Sequence, residues 1–116
     1  MEIKLKRIYE APLKSDGTRV LVDRLWPRGV SKEAAHLDLW LKEVAPSTEL
    51  RKWFGHDPAR WREFQQRYRR ELGEQGDALA QLAALARKGR LTLLYGAKDE
   101  AHNEAVVLKQ VLEEGG

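Results

Sequence analysis

Two polar stretches, each following an apolar run, carry the side chains with the greatest chemical capacity in this chain. They are Asp23-Arg24-Leu25-Trp26-Pro27-Arg28-Gly29, after Val20-Leu21-Val22, and Gly96 through Asn103, after Leu91-Thr92-Leu93-Leu94-Tyr95. Arg24, Arg28 and Lys98 supply positive charge, and such groups converging on one place hold phosphate or carboxylate ligands. Asp23 and His102 form a candidate acid–base pair, because imidazole titrates near neutrality and a carboxyl can return the proton. A helix starting near Asp99 would aim free backbone N–H groups at the same point, which suits an oxyanion. The structural alternatives are a buried Asp23–Arg24 ion pair, a capping role for Asp99 and a solvated His102 in the first helical turn.

Around these groups, Trp26, Trp53 and Tyr95 are candidate walls of a ligand crevice, with His56 and Asn103 as further polar contacts. Trp26 could stack a planar ligand or plug the core, and Trp53 could wall the crevice or anchor a short helix. The spacing of His36, His56 and His102 matches no compact metal motif, and the chain has no cysteine, so no metal site is expected. Thiolate nucleophiles and disulfides are excluded on the same ground. Neither a phosphate loop nor a dinucleotide fingerprint is present, and no cofactor is expected.

The elements that must position these residues follow from periodicity. Ile3 and Leu5 alternate with Lys4 and Lys6, the pattern of a half-buried edge strand over residues 2–9. Val20-Leu21-Val22 and Leu91 to Tyr95 are continuous apolar runs, as expected of strands covered on both faces. Ser31 caps a short helix through Ala35, while Leu37, Leu39 and Leu41 alternate like a strand although Trp40 and Val44 also allow a helix. Ser47 caps a helix over Thr48 to Phe54 that stops at Gly55. Asp57-Pro58 starts another, with Trp61, Phe64, Tyr68 and Leu72 on its apolar face. Leu79, Leu82, Ala83 and Ala86 stripe the next helix, which closes at Gly89. With Asp99 as its cap, the last helix carries Ala101, Ala105, Leu108 and Leu112 as its stripe. The expected fold is a small single α/β domain spanning residues 1–116, with a short central, mostly parallel sheet and flanking helices. In that fold both polar loops open at the carboxyl edge of the sheet, where such folds bind ligands.

Composition narrows the partners. Of 116 residues, 42% are hydrophobic and 34% charged, enough apolar surface for one core and too little material for a second. The alternating N-terminus lacks the unbroken apolar stretch of a secretory or membrane segment, so a cytoplasmic protein without membrane association is expected. A net charge of +3 from 21 basic and 18 acidic residues is a weak excess. Arg60, Arg62, Arg67, Arg69 and Arg70 scatter around the helix at 58–72, and Glu63 and Glu71 lie four residues either side of Arg67. A solvated, ion-paired face explains that pattern better than a nucleic-acid stripe, although nucleic-acid binding through this helix stands as an alternative. A structural or partner-binding module is the other alternative, and neither catalysis nor oligomeric state is fixed by these residues.

The string Val20-Leu21-Val22-Asp23-Arg24-Leu25-Trp26-Pro27-Arg28-Gly29, with Ala45-Pro46-Ser47, Leu50-Arg51-Lys52-Trp53-Phe54-Gly55-His56 and Leu93-Leu94-Tyr95, resembles the YeaO-like branch of domain-of-unknown-function family 488. The resemblance covers nearly the whole chain. It implies a small bacterial or archaeal α/β protein whose two polar loops are its most recognisable features. In the wider family the loop after the last strand often carries Cys-His-Arg, where this chain reads Ala101-His102-Asn103, so an activity resting on that cysteine is not expected here. The reading that emerges is a protein holding a small anionic ligand between the two loops.

Overall fold

The computed structural model describes residues 1–115. Four parallel strands, β1 (Ile3–Arg7), β2 (Thr18–Leu21), β3 (Leu39–Trp40) and β4 (Leu91–Tyr95), form one sheet in the order β1-β4-β2-β3. The last strand in sequence therefore enters between the first two. Leu93 pairs with Leu5 on one side and Val20 on the other, and every residue of β4 is buried. An unbroken apolar run is the sequence such a central parallel strand requires, since neither face meets water.

Five α-helices surround the sheet: α1 (Lys32–Ala35), α2 (Thr48–Phe54), α3 (Trp61–Leu72), α4 (Gly76–Lys88) and α5 (Glu104–Glu113). The main core lies on one face, where Val20, Leu91 and Leu93 of the sheet meet Phe54, Phe64, Tyr68, Leu82 and Leu108 from the helices. The opposite face is covered by a smaller cluster, in which Leu21 and Leu94 pack with Ile8, Ala35, Trp26 and Trp40. The alternating leucines at 37–41 resolve as the two-residue edge strand β3, followed by a 3-10 turn at Lys42–Val44. No helix among the described residues is long and apolar enough to cross a membrane.

One end of the sheet is clamped by charge. Asp16 is fully buried and accepts hydrogen bonds from Lys6 Nζ at 3.0 Å, Lys4 Nζ at 3.1 Å, Arg19 Nη1 at 2.5 Å and the Leu13 N–H at 3.0 Å. Arg19 continues the network to the carbonyls of Ala35 and His36. The inward-facing Lys6 of the alternating first strand is thus a buried ion-pair partner, where alternation alone assigns it to solvent. Burial by itself would raise the Asp16 carboxyl, but its four donors outweigh that and hold it well below the usual carboxylate range.

The last helix starts later than the sequence suggests. Asn103, not Asp99, is its N-cap, with Oδ1 accepting from the Val106 N–H at 3.2 Å. Asp99 instead closes a tight turn by accepting from the N–H groups of Ala101 and His102. The difference is local: both are good acceptors, and the stretch between them is satisfied by the turn.

Candidate functional site

The chain leaves β2 through Val22 and turns at Asp23, whose Oδ2 accepts the Gly96 N–H at 2.8 Å. That bond joins the loop after β2 to the loop after β4, so the two polar stretches do meet at the carboxyl edge of the sheet. The approach is close: a Cβ on Gly96 would lie 3.0 Å from Asp23 Oδ2, tighter than most real contacts, so a larger residue there would displace the carboxyl. The Asp23 carbonyl accepts from Trp40 Nε1 at 2.7 Å, which fixes the first turn of the loop from the β3 side.

Between the loops lies a cavity of about 350 Å³, at the small end of the range for ligand sites. Its inner part is formed by Asp23, Gly96, Asn103 and Glu104, and its apolar walls by Pro46, Phe54 and Phe64. At the exposed mouth stand Arg28, Arg51 and His56, none in an ion pair among the described residues. Phe54 stacks on Phe64 with centroids 4.3 Å apart, which ties the α2 and α3 walls together.

Glu104, in the first turn of α5, is the most perturbed group in the cavity. Burial, then the adjacent Asp23 charge and a hydrogen bond to Asp23, push its carboxyl well above the usual range. Its Oε1 is sealed from solvent and receives no donor among the described residues. Two carboxyls lining one cavity suit a guest that brings hydrogen-bond donors better than an anion.

The remaining expected site residues fall into three groups. Arg24 lines the cavity, but its guanidinium is engaged by the carbonyls of Pro46 at 3.0 Å and Ala45 at 3.1 Å, bracing the segment that precedes α2. Trp26 lies at its edge, with Nε1 bonded to the Val30 carbonyl at 2.7 Å and its ring edge-on to Trp40. Lys98, Asp99, His102, Tyr95 and Trp53 are not among the cavity's lining residues. His102 Nδ1 lies 2.8 Å from Asp99 Oδ2, and its ring meets Trp61 edge-on. The His102 contact, then the Ala101 N–H, holds the Asp99 carboxyl below its ordinary value. Tyr95 is buried in the core, which pushes its phenol up. Trp53 faces a broad, open groove between α2 and α3, where Arg67 stacks over its ring at 4.5 Å and pairs with Glu63.

Glu104 and Arg51 were not legible as site residues, but Glu104 left a trace. It stands four residues before Leu108, on the apolar face of α5, where a carboxyl is out of place unless something uses it. Arg51 leaves no such signal.

Comparison with known proteins finds relatives along nearly the whole chain. The chain is 47% identical over 108 residues to "Uncharacterized protein YeaO" of Escherichia coli (strain K12), spanning 93% of this chain and 94% of that relative. It is 42% identical over 110 residues to "Uncharacterized protein Rv3073c" of Mycobacterium tuberculosis (strain ATCC 25618 / H37Rv), spanning 95% and 92%. The same figures hold for "Uncharacterized protein Mb3100c" of Mycobacterium bovis. No solved structure matches the chain. The profile of the inactive DUF488-N3 subclade matches residues 2–115, and with relatives this similar over nearly their whole length, the chain belongs to that family.

Proposed function

We propose that this protein binds a small molecule bearing a phosphate or carboxylate group in the cavity between the loops after β2 and β4. The observation that carries the reading is the free positive charge at the mouth: Arg28 and Arg51 line one cavity beside His56, and neither arginine has an ion-pair partner among the described residues. Arg24 contributes by fixing the Ala45-Pro46 wall through its carbonyl contacts. A volume of about 350 Å³ suits a metabolite-sized ligand more than a dinucleotide. The description of the subclade as inactive favours binding over turnover, and it accords with Ala101-His102-Asn103 standing where the wider family often has Cys-His-Arg.

The test is a thermal-shift screen with phosphorylated and carboxylated metabolites. A ligand at about a hundred times its Kd adds ~2.7 kcal/mol to stability, roughly 10 °C in Tm for a domain of this size. Arg28→Ala combined with Arg51→Ala should abolish the shift while leaving the unliganded Tm within about a degree or two, because surface substitutions away from packed contacts cost little. Shifts that survive the double substitution would defeat the proposal.

A further inference from the structure

We infer that the ligand carries, at the end that reaches the inside of this cavity, a protonated nitrogen (amine, amidine or guanidine) held between the carboxyls of Asp23 and Glu104. This deepens the anion-binding reading, on which it rests for the other end of the same molecule. The ligand class is therefore zwitterionic: acidic group outward, basic nitrogen inward.

The argument is a count of donors. Asp23 and Glu104 bring four carboxyl oxygens into the inner cavity, and among the described residues the one donor they receive from another group is the Gly96 N–H, on Asp23 Oδ2. Glu104 Oε1 is buried without any donor. The nearby donors are committed elsewhere. Asn103 Nδ2 bonds the Asp99 carbonyl, the Arg24 guanidinium bonds Ala45 and Pro46, and Tyr68 Oη donates to the Val44 carbonyl. Buried acceptors so arranged are satisfied when donors arrive with a guest.

Charge selects which guest. A phosphate or carboxylate in the inner cavity would meet two carboxyls, whereas an ammonium offers three donors and a guanidinium five, with the compensating charge. The exposed Arg28 and Arg51 line the same cavity as the less exposed Asp23 and Glu104, and Pro46, Phe54 and Phe64 add apolar surface to it. A short hydrocarbon linker joining an outer anion to an inner cation matches these three kinds of lining.

Three probe series separate the two ends: aminoalkyl phosphates from ethyl to pentyl, alkyl phosphates of the same lengths, and alkylammonium salts. Binding is followed in amide NMR spectra of the full chain. The aminoalkyl phosphate of best length should bind about tenfold or more tightly than its alkyl phosphate counterpart and move the Gly96 resonance as well as those of Arg28 and Arg51. Glu104→Gln, nearly isosteric, should bring the two phosphate series to equal affinity, and Asp23→Asn should do the same. Melting curves check that both variants fold. Equal binding of the two phosphate series, or a preference that persists in Glu104→Gln, would overturn the inference and leave the anion site standing. Alkylammonium shifts at Gly96 without phosphate binding would keep the inner site and remove the outer one. Silence from every series would overturn both.

Discussion

Replacing Asp16 with asparagine should be among the most damaging single changes to the fold while leaving the cavity's selectivity intact. The side chain is fully buried and serves Lys6, Arg19 and the Leu13 N–H, with Lys4 as an outer partner. Lys6 and Arg19 are themselves about 95% buried, at 5% and 4% exposure, so removing the carboxylate strands two cations away from water. Breaking one partner out of such a buried set costs about 3–5 kcal/mol, whereas the part-exposed Lys4 pair contributes ~1 kcal/mol or less. Against a typical total of about 5–15 kcal/mol this removes a large share of the stability and lowers Tm by roughly 10–20 °C. Urea unfolding of wild type and Asp16→Asn, with Lys4→Ala as the mild control, measures it. The pH dependence supplies a second check. A carboxylate whose folded pKa is depressed contributes stability that is complete above its unfolded value, about 3.9, and is lost as pH falls towards the folded one. Wild type should therefore lose stability on acidification below about pH 4 more steeply than Asp16→Asn. A loss under ~1 kcal/mol at neutral pH, or parallel acid profiles, would refute the clamp.

Three further outcomes are expected. Gly17→Ala should cost ~2 kcal/mol or more by thermal melting, because φ is +66° and the new Cβ would sit 2.3 Å from the Arg90 carbonyl oxygen. Tyr68→Phe leaves the buried Val44 carbonyl without its donor and should cost about 1–3 kcal/mol in urea unfolding. Gly96→Ala should displace the Asp23 carboxyl, weakening ligand binding in the thermal-shift assay more than it lowers the unliganded Tm.

Much of the architecture was written locally. The β4 run from Leu91 to Tyr95 could only be a strand covered on both faces, and the stripe Trp61, Phe64, Tyr68, Leu72 could only bury its aromatic side. Turn and cap chemistry marked the loop at Asp23 to Gly29 and the start of α2 at Ser47, because those signals involve neighbours in sequence. The edge position of β1 and the meeting of two polar loops at the carboxyl edge of the sheet also followed from pattern.

Which side chains face the cavity did not. Arg24 and Arg28 look equivalent in sequence, yet one guanidinium is drawn to two carbonyls at Ala45-Pro46 while the other remains at the mouth. Lys6 and Asp16, ten residues apart, became partners only when β1 and β2 closed around β4. The Glu104 carboxyl is pushed up by burial and then by Asp23, eighty-one positions away in the chain. Periodicity and capping are short-range and survive in the sequence. The commitments of charged groups are settled by burial and by whichever partner the tertiary fold brings near, and those energies have no local record.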